Sequence, residues 1–296
     1  MKLHIKIFSV ILLAILLTAN CTKLLDEQPR ASVTPDYFTT AGGVLGGIAG
    51  VYSDMRNLWG TEGFLHMAAG GTDEMLVGGS GSANFYTYAL VNSESSYLWN
   101  IGYQDINTLN GVLQYGQTVD LPEATRVQYL AQAKFLRAFY YFYLVLTYGD
   151  VPLHLEFITT ASAADSRAPI ADIYTQIIKD LTEAAAELPA TPTAPFLGKA
   201  ATKAAAKFLL AKVYLTRGWS TAAVSGDFTN AYTTCTDLIT NKATYGLDLW
   251  QDFKDVNIKA NDYGKEVIFV NDHSSDLKYG EYSTGSSASG NKENKS

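Results

Sequence analysis

Thr72, Asp73 and Glu74 stand just ahead of a Gly/Ser-rich stretch, Gly78 to Ser82, which runs into Asn84, Phe85, Tyr86 and Tyr88. Flat aromatic faces receive the C–H groups of a sugar ring, while carboxylates and side-chain amides receive its hydroxyls. Asp73, Asn84, Phe85, Tyr86 and Tyr88 are therefore the candidate glycan-binding residues. Phe85 and Tyr88 have a second possible use, plugging this excursion onto the core. Reaction chemistry is harder to build from the same residues. A glycosidase needs two carboxyls facing each other across roughly 5 to 9 Å, and sequence neighbours such as Asp73 and Glu74 usually diverge. Gly78-Gly79-Ser80-Gly81-Ser82 lacks the closing glycine of a nucleophile elbow. Gly198-Lys199-Ala200 lacks both the upstream glycine and the Ser/Thr of a phosphate loop. The residue types point to binding and away from catalysis.

Metal chemistry has no better footing. His66, His154 and His273 are far apart, and no CxxC or HExxH occurs, so no metal or other cofactor is expected. Of the two cysteines, Cys235 falls in a helical pattern with Phe228, Ala231, Tyr232, Leu238 and Ile239, which predicts a buried apolar residue. Cys21 is different. Lys2 and Lys6 precede an apolar stretch from Ile7 to Leu17 that is too short to cross a bilayer, and Cys21 follows shortly after. This arrangement predicts a signal peptide over residues 1–20 and lipidation at Cys21; plain secretion is the alternative.

The elements that must carry the loop are helical. A polar tether, 21–35, leads to a helix opening at Thr40, with Val44, Ile48, Val51, Tyr52 and Met55 on one face. Gly42, Gly46 and Gly50, flanked by Gly43 and Gly47, form smooth strips suited to close approach of a neighbouring helix. Met75 to Ser96 reads as an ordered excursion or short hairpin. A second helix carries Trp99, Tyr103, Ile106, Asn110 and Leu113, with Trp99 read as core.

A long third helix runs from Pro122 and Glu123 to Gly149 and Pro152, apolar on nearly every side between Phe135 and Leu144, and so predicted to be central. Lys134 and Arg137 interrupt it, which excludes a membrane span. Three amphipathic helices follow: one from Pro169 to Pro189, one opening at Lys199 and ended by Gly218, and one over Phe228 to Ile239. Their regular spacing is that of a helical-hairpin array. Val267 to Val270 is β-like, and Gly285 to Ser296 cannot pack.

The 296 residues and 47% hydrophobic content allow a full core without disulfides. Removal of the leader leaves 20 basic against 29 acidic residues, a net charge of −9, which repels phosphate backbones and argues against nucleic-acid partners.

Four blocks give the chain a family resemblance: Phe135-Leu136-Arg137-Ala138 with the aromatics after it; Tyr148-Gly149-Asp150-Val151-Pro152; Ala194-Pro195-Phe196 followed by Gly198 to Leu215; and Thr72-Asp73-Glu74 upstream of Trp99, Tyr103, Ile106 and Asn110. In this order, behind a lipoprotein-type leader, they resemble the SusD/RagB family of surface glycan-binding lipoproteins from about Cys21 to Phe269. The resemblance implies an all-α scaffold of tetratricopeptide-like helical hairpins with long loop excursions. It implies capture of oligosaccharides for a TonB-dependent outer-membrane transporter, SusC-like, with the protein held on the outer membrane by its lipid. Members are longer, which implies that the C-terminal half is incomplete: a partial helical domain at 36–283 and a disordered tail at 284–296. Some members place a stacking aromatic directly after the Thr-Asp-Glu triplet. Here Met75 to Gly79 occupy that stretch, and Phe85, Tyr86 and Tyr88 are the nearest replacements. A docking scaffold that binds the transporter but no sugar is the alternative.

Overall fold

The computed structural model describes residues 34–59, 72–73, 92–160, 165–195, 200–261 and 263–271. Six α-helices dominate these residues: α1 (Ala41–Leu58), α2 (Asn92–Tyr115), α3 (Glu123–Tyr148), α4 (Ile170–Glu187), α5 (Lys203–Gly218) and α6 (Asp227–Thr240). Each packs chiefly on the helix before and after it, giving the all-α hairpin array its spacing predicts. Among the described residues the only β feature is a single antiparallel bridge, Val151 to Ala168. The Val267–Val270 segment is not a strand. It has no neighbouring strand among the described residues to pair with, and instead lays its side chains on α3, the Phe269 ring 5.1 Å from that of Phe135.

Helix α1 starts where Thr40 accepts a hydrogen bond from the Gly43 amide at 3.0 Å, satisfying one of the free N–H groups of the first turn. It buries Val44, Ile48, Val51, Met55 and Leu58. The glycine strip it uses is Gly43 and Gly47, not the Gly42/Gly46/Gly50 row. A Cβ on Gly47 would lie 3.0 Å from both Phe38 and Val112, whereas Gly42 and Gly50 face open space. Phe38 thus sits between the backbones of α1 and α2, with Gly111 on the other side of its ring. Helix α2 begins at Asn92, inside the stretch read as an excursion. Trp99 is only half-buried, packed between Tyr103 and Tyr148.

Helix α3 is central, burying nearly all of Tyr129 to Val145, and Gly149 ends it at φ 71°, a conformation that favours glycine. No helix among the described residues is long and apolar enough to cross a membrane. Helix α5 begins at Lys203 rather than at Lys199. The cause is a pair of long-range bonds: Ala201 donates its amide to the Tyr52 hydroxyl and accepts from Gln132, holding the backbone extended until Thr202 caps the helix.

The largest departure is at α6. Its buried residues are Asp227, Ala231 and Leu238, while Cys235 is exposed and Tyr232 and Ile239 are 73% and 71% accessible. The helical period is as expected but the buried stripe is narrow, because α5 covers one side of α6 and no described element covers the other.

Candidate functional site

The residues that carry the sequence motifs prove to be positioning residues. Arg137 on α3 holds Asp180 on α4 through two 2.8 Å bonds, and its Nη1 donates to Asn110 on α2 at 2.9 Å. Burial pushes the Asp180 pKa up, opposed by the guanidinium beside it. Asn110 then donates to the His154 and Glu156 carbonyls. On either side of it, Asn107 makes paired bonds with the Ile158 backbone and Gln114 accepts from the Phe157 amide. These amides lie at i, i+3 and i+7 on one helix face, and together they hold the backbone from 154 to 158 as a neighbouring strand would. The Tyr148–Pro152 block turns the chain. Gly149 ends α3, the Asp150 carboxylate accepts from the first amide of α4 at 2.8 Å, and the Pro152 carbonyl accepts from the Tyr103 hydroxyl.

Of the candidate ligand residues, Asp73 is exposed on a bend. Asn84, Phe85, Tyr86 and Tyr88 lie outside the described residues, as does Cys21.

The described residues contain a concave feature that sequence reading missed. A cleft of about 440 Å³ opens between the end of α1, the faces of α3 and α5, and the segment from Glu266 to Asn271. Its α3 wall is Phe135, Phe139 and Tyr143, four residues apart and so on one helix face. Trp59 closes one end, 4.9 Å from Phe139 and 5.3 Å from Tyr143. From α5, Phe208 and Lys212 project one turn apart; Phe208 is 47% exposed, and the Lys212 ammonium lies 5.8 Å from the Tyr143 ring centre. Asn271 pins the covering segment by donating to the Met55 and Trp59 carbonyls, both at 3.1 Å. Glu266 accepts from the Trp250 amide. Partial burial raises the pKa of the Tyr143 hydroxyl, which has no hydrogen-bond partner among the described residues. The fourfold spacings of 135/139/143 and 208/212 are visible in the chain, but nothing in it brings them together with Trp59 and Phe269.

Such a cleft can hold a ring and orient its polar substituents. Among the described residues no group of three or more His, Cys, Asp or Glu side chains could hold a metal ion.

Residues 74–215 match a family model, SusD-like, described as starch-binding and associating with the outer membrane. The chain is 31% identical over 280 residues to SusD-like protein P2 of Formosa agariphila, covering 90% of this chain and 53% of that protein. A SusD-like protein of Bacteroides ovatus is 25% identical, with 90% and 49% covered. The chain thus spans about half the length of the curated relatives it matches. Among solved structures, a laminarin-binding SusD-like protein superposes with a TM-score of 0.65 at 26% identity, covering 76% of this chain and 50% of that one. A SusD superfamily protein from Parabacteroides distasonis gives a TM-score of 0.66 at 23% identity, with 80% and 51% covered. Sequence and fold agree: residues 74–215 carry a SusD-like domain, and the helical array has the fold of SusD-like structures.

Proposed function

We propose that this protein is a surface lipoprotein that captures oligosaccharides and passes them to a TonB-dependent, SusC-like transporter in the outer membrane. The observation that carries the reading is its likeness, over three-quarters of the chain, to a SusD-like protein described as binding laminarin. The outer-membrane association in the family description supports the location, and the basic, short-cored leader ending at Cys21 supports a lipid anchor there. The chain holds its ligand without transforming it. A net negative charge suits neutral glycans better than phosphorylated partners. Asp73, Asn84, Phe85, Tyr86 and Tyr88 form the glycan-facing loop in this reading, with Tyr86 as the stacking face.

Affinity electrophoresis of the full chain in gels containing laminarin or xyloglucan tests it. Retardation by at least one of these glycans is expected, reduced in Tyr86→Ala with helix content unchanged. Cys21→Ala should move the protein out of the membrane fraction and remove palmitate labelling. A second reading, a scaffold that docks on the transporter without binding sugar, draws support from the helical-hairpin array, an architecture suited to docking surfaces. It predicts transporter pull-down with no retardation by any glycan.

A further inference from the structure

We infer that the cleft walled by Trp59, Phe139, Tyr143 and Phe208 is a second carbohydrate site, one that takes a single neutral pyranose ring with Lys212 and Glu266 on its hydroxyls. The inference rests on the carbohydrate-binding reading above but places a ring far from the 77–88 loop in sequence.

Size is the first argument. At about 440 Å³ the cleft falls inside the roughly 300 to 1,000 Å³ range of small-ligand sites and admits one sugar ring with its first hydration waters. Its walls come next. Pyranoses present axial C–H groups on a face, and such faces settle against aromatic rings, here Trp59, Phe139 and the half-exposed Phe208. A core gap awaiting only apolar cover would be lined by apolar groups alone. This one holds the Tyr143 hydroxyl, with no partner among the described residues, and the Lys212 ammonium, which makes ring contacts but no ion pair there. Tyr143 is partly exposed and Lys212 exposed, so a sugar hydroxyl would take the place of water on them.

Charge then selects the ligand. Lys212 and Glu266 line the same cleft with opposite signs, so the site carries no net charge and offers both donors and an acceptor. The Glu266 carboxylate spends one oxygen on the Trp250 amide, leaving lone pairs for a sugar hydroxyl. A sugar hydroxyl donates and accepts at once, which matches this mixed set.

Isothermal titration of the full chain with laminarihexaose and with a xyloglucan heptasaccharide, alongside tryptophan fluorescence, provides the test. At least one probe should bind and change the emission, and Trp59→Phe should remove that change. Phe208→Ala and Lys212→Met, both at accessible positions that spare the core, should each weaken binding by about tenfold or more. Ile239→Ser, on the far face of α6, should leave it unaltered. Binding by the parent with equal affinity in Phe208→Ala and Lys212→Met would overturn the cleft assignment and leave the carbohydrate reading standing. No binding of either probe by the parent would overturn both.

Discussion

Arg137 and Asp180 meet in a two-pronged ion pair, Nε to Oδ2 and Nη2 to Oδ1 both at 2.8 Å, with neither side chain more than 9% exposed. The pair joins α3 to α4, and through Asn110 it joins both to α2. Removing one member strands the other charge in the core. Arg137→Met and Asp180→Leu should each cost about 3 to 5 kcal/mol in urea unfolding. The double variant should recover much of that loss, because it leaves no unpaired charge behind.

Asp105 is buried on α2 with no cation offsetting it. Burial first, then the Asp54 carboxyl nearby, pushes its pKa up to about 8, while the Tyr140 hydroxyl, close but without good hydrogen-bond geometry, pulls it down. Between about pH 4 and 8 the folded protein therefore keeps a proton that the unfolded chain has released, so this group makes stability fall as pH rises, by at most about 1.4 kcal/mol per pH unit. Asp105→Asn mimics the protonated form. Its stability relative to the parent should grow steadily from pH 5 to pH 8, as read by urea midpoints. A constant difference would mean that Asp105 titrates near its ordinary value.

Two glycines in helices should respond with opposite signs to the same change. At Gly50 an added methyl meets nothing within 4 Å, so Gly50→Ala should stabilise by about 0.5 to 1 kcal/mol through helix propensity. At Gly111 the methyl would lie 2.2 Å from the Phe38 ring, so Gly111→Ala should destabilise by about 1 to 3 kcal/mol through overpacking. Thermal unfolding of the two variants side by side checks both.

Cys235 is exposed on α6. In the Cys21→Ala protein, where it is the one remaining thiol, a disulfide reagent should titrate it under native conditions at nearly the rate seen in urea. Strong protection would place a covering element over that face.

Much of the scaffold is legible in the chain because its signals are local. Thr40 caps α1, Pro122 and Gly149 bracket α3, and Gly218 ends α5 where expected. The misreadings arise where a distant contact decides. Helix α5 opens only at Lys203 because Tyr52, about 150 positions earlier, takes the Ala201 amide. Cys235 follows a helical period but faces away from α5, and periodicity alone does not reveal which stripe finds a partner. Val267 to Val270 has strand composition without a strand beside it among the described residues. The aromatic cleft was illegible for the same reason: its walls come from four separated stretches of chain, and only the tertiary fold makes Trp59 a neighbour of Phe139.

The row of amides on α2 has an evolutionary corollary. Asn107, Asn110 and Gln114 grip only main-chain atoms of the segment from His154 to Ile158. Path and side-chain identity are thereby decoupled. Substitutions at Leu155 or Ile158, both exposed, leave every one of those bonds intact, so the segment can diversify its outward chemistry without redrawing its route. Such a stretch is free to drift, or to be rewritten by an engineer, while the frame beneath it stays put.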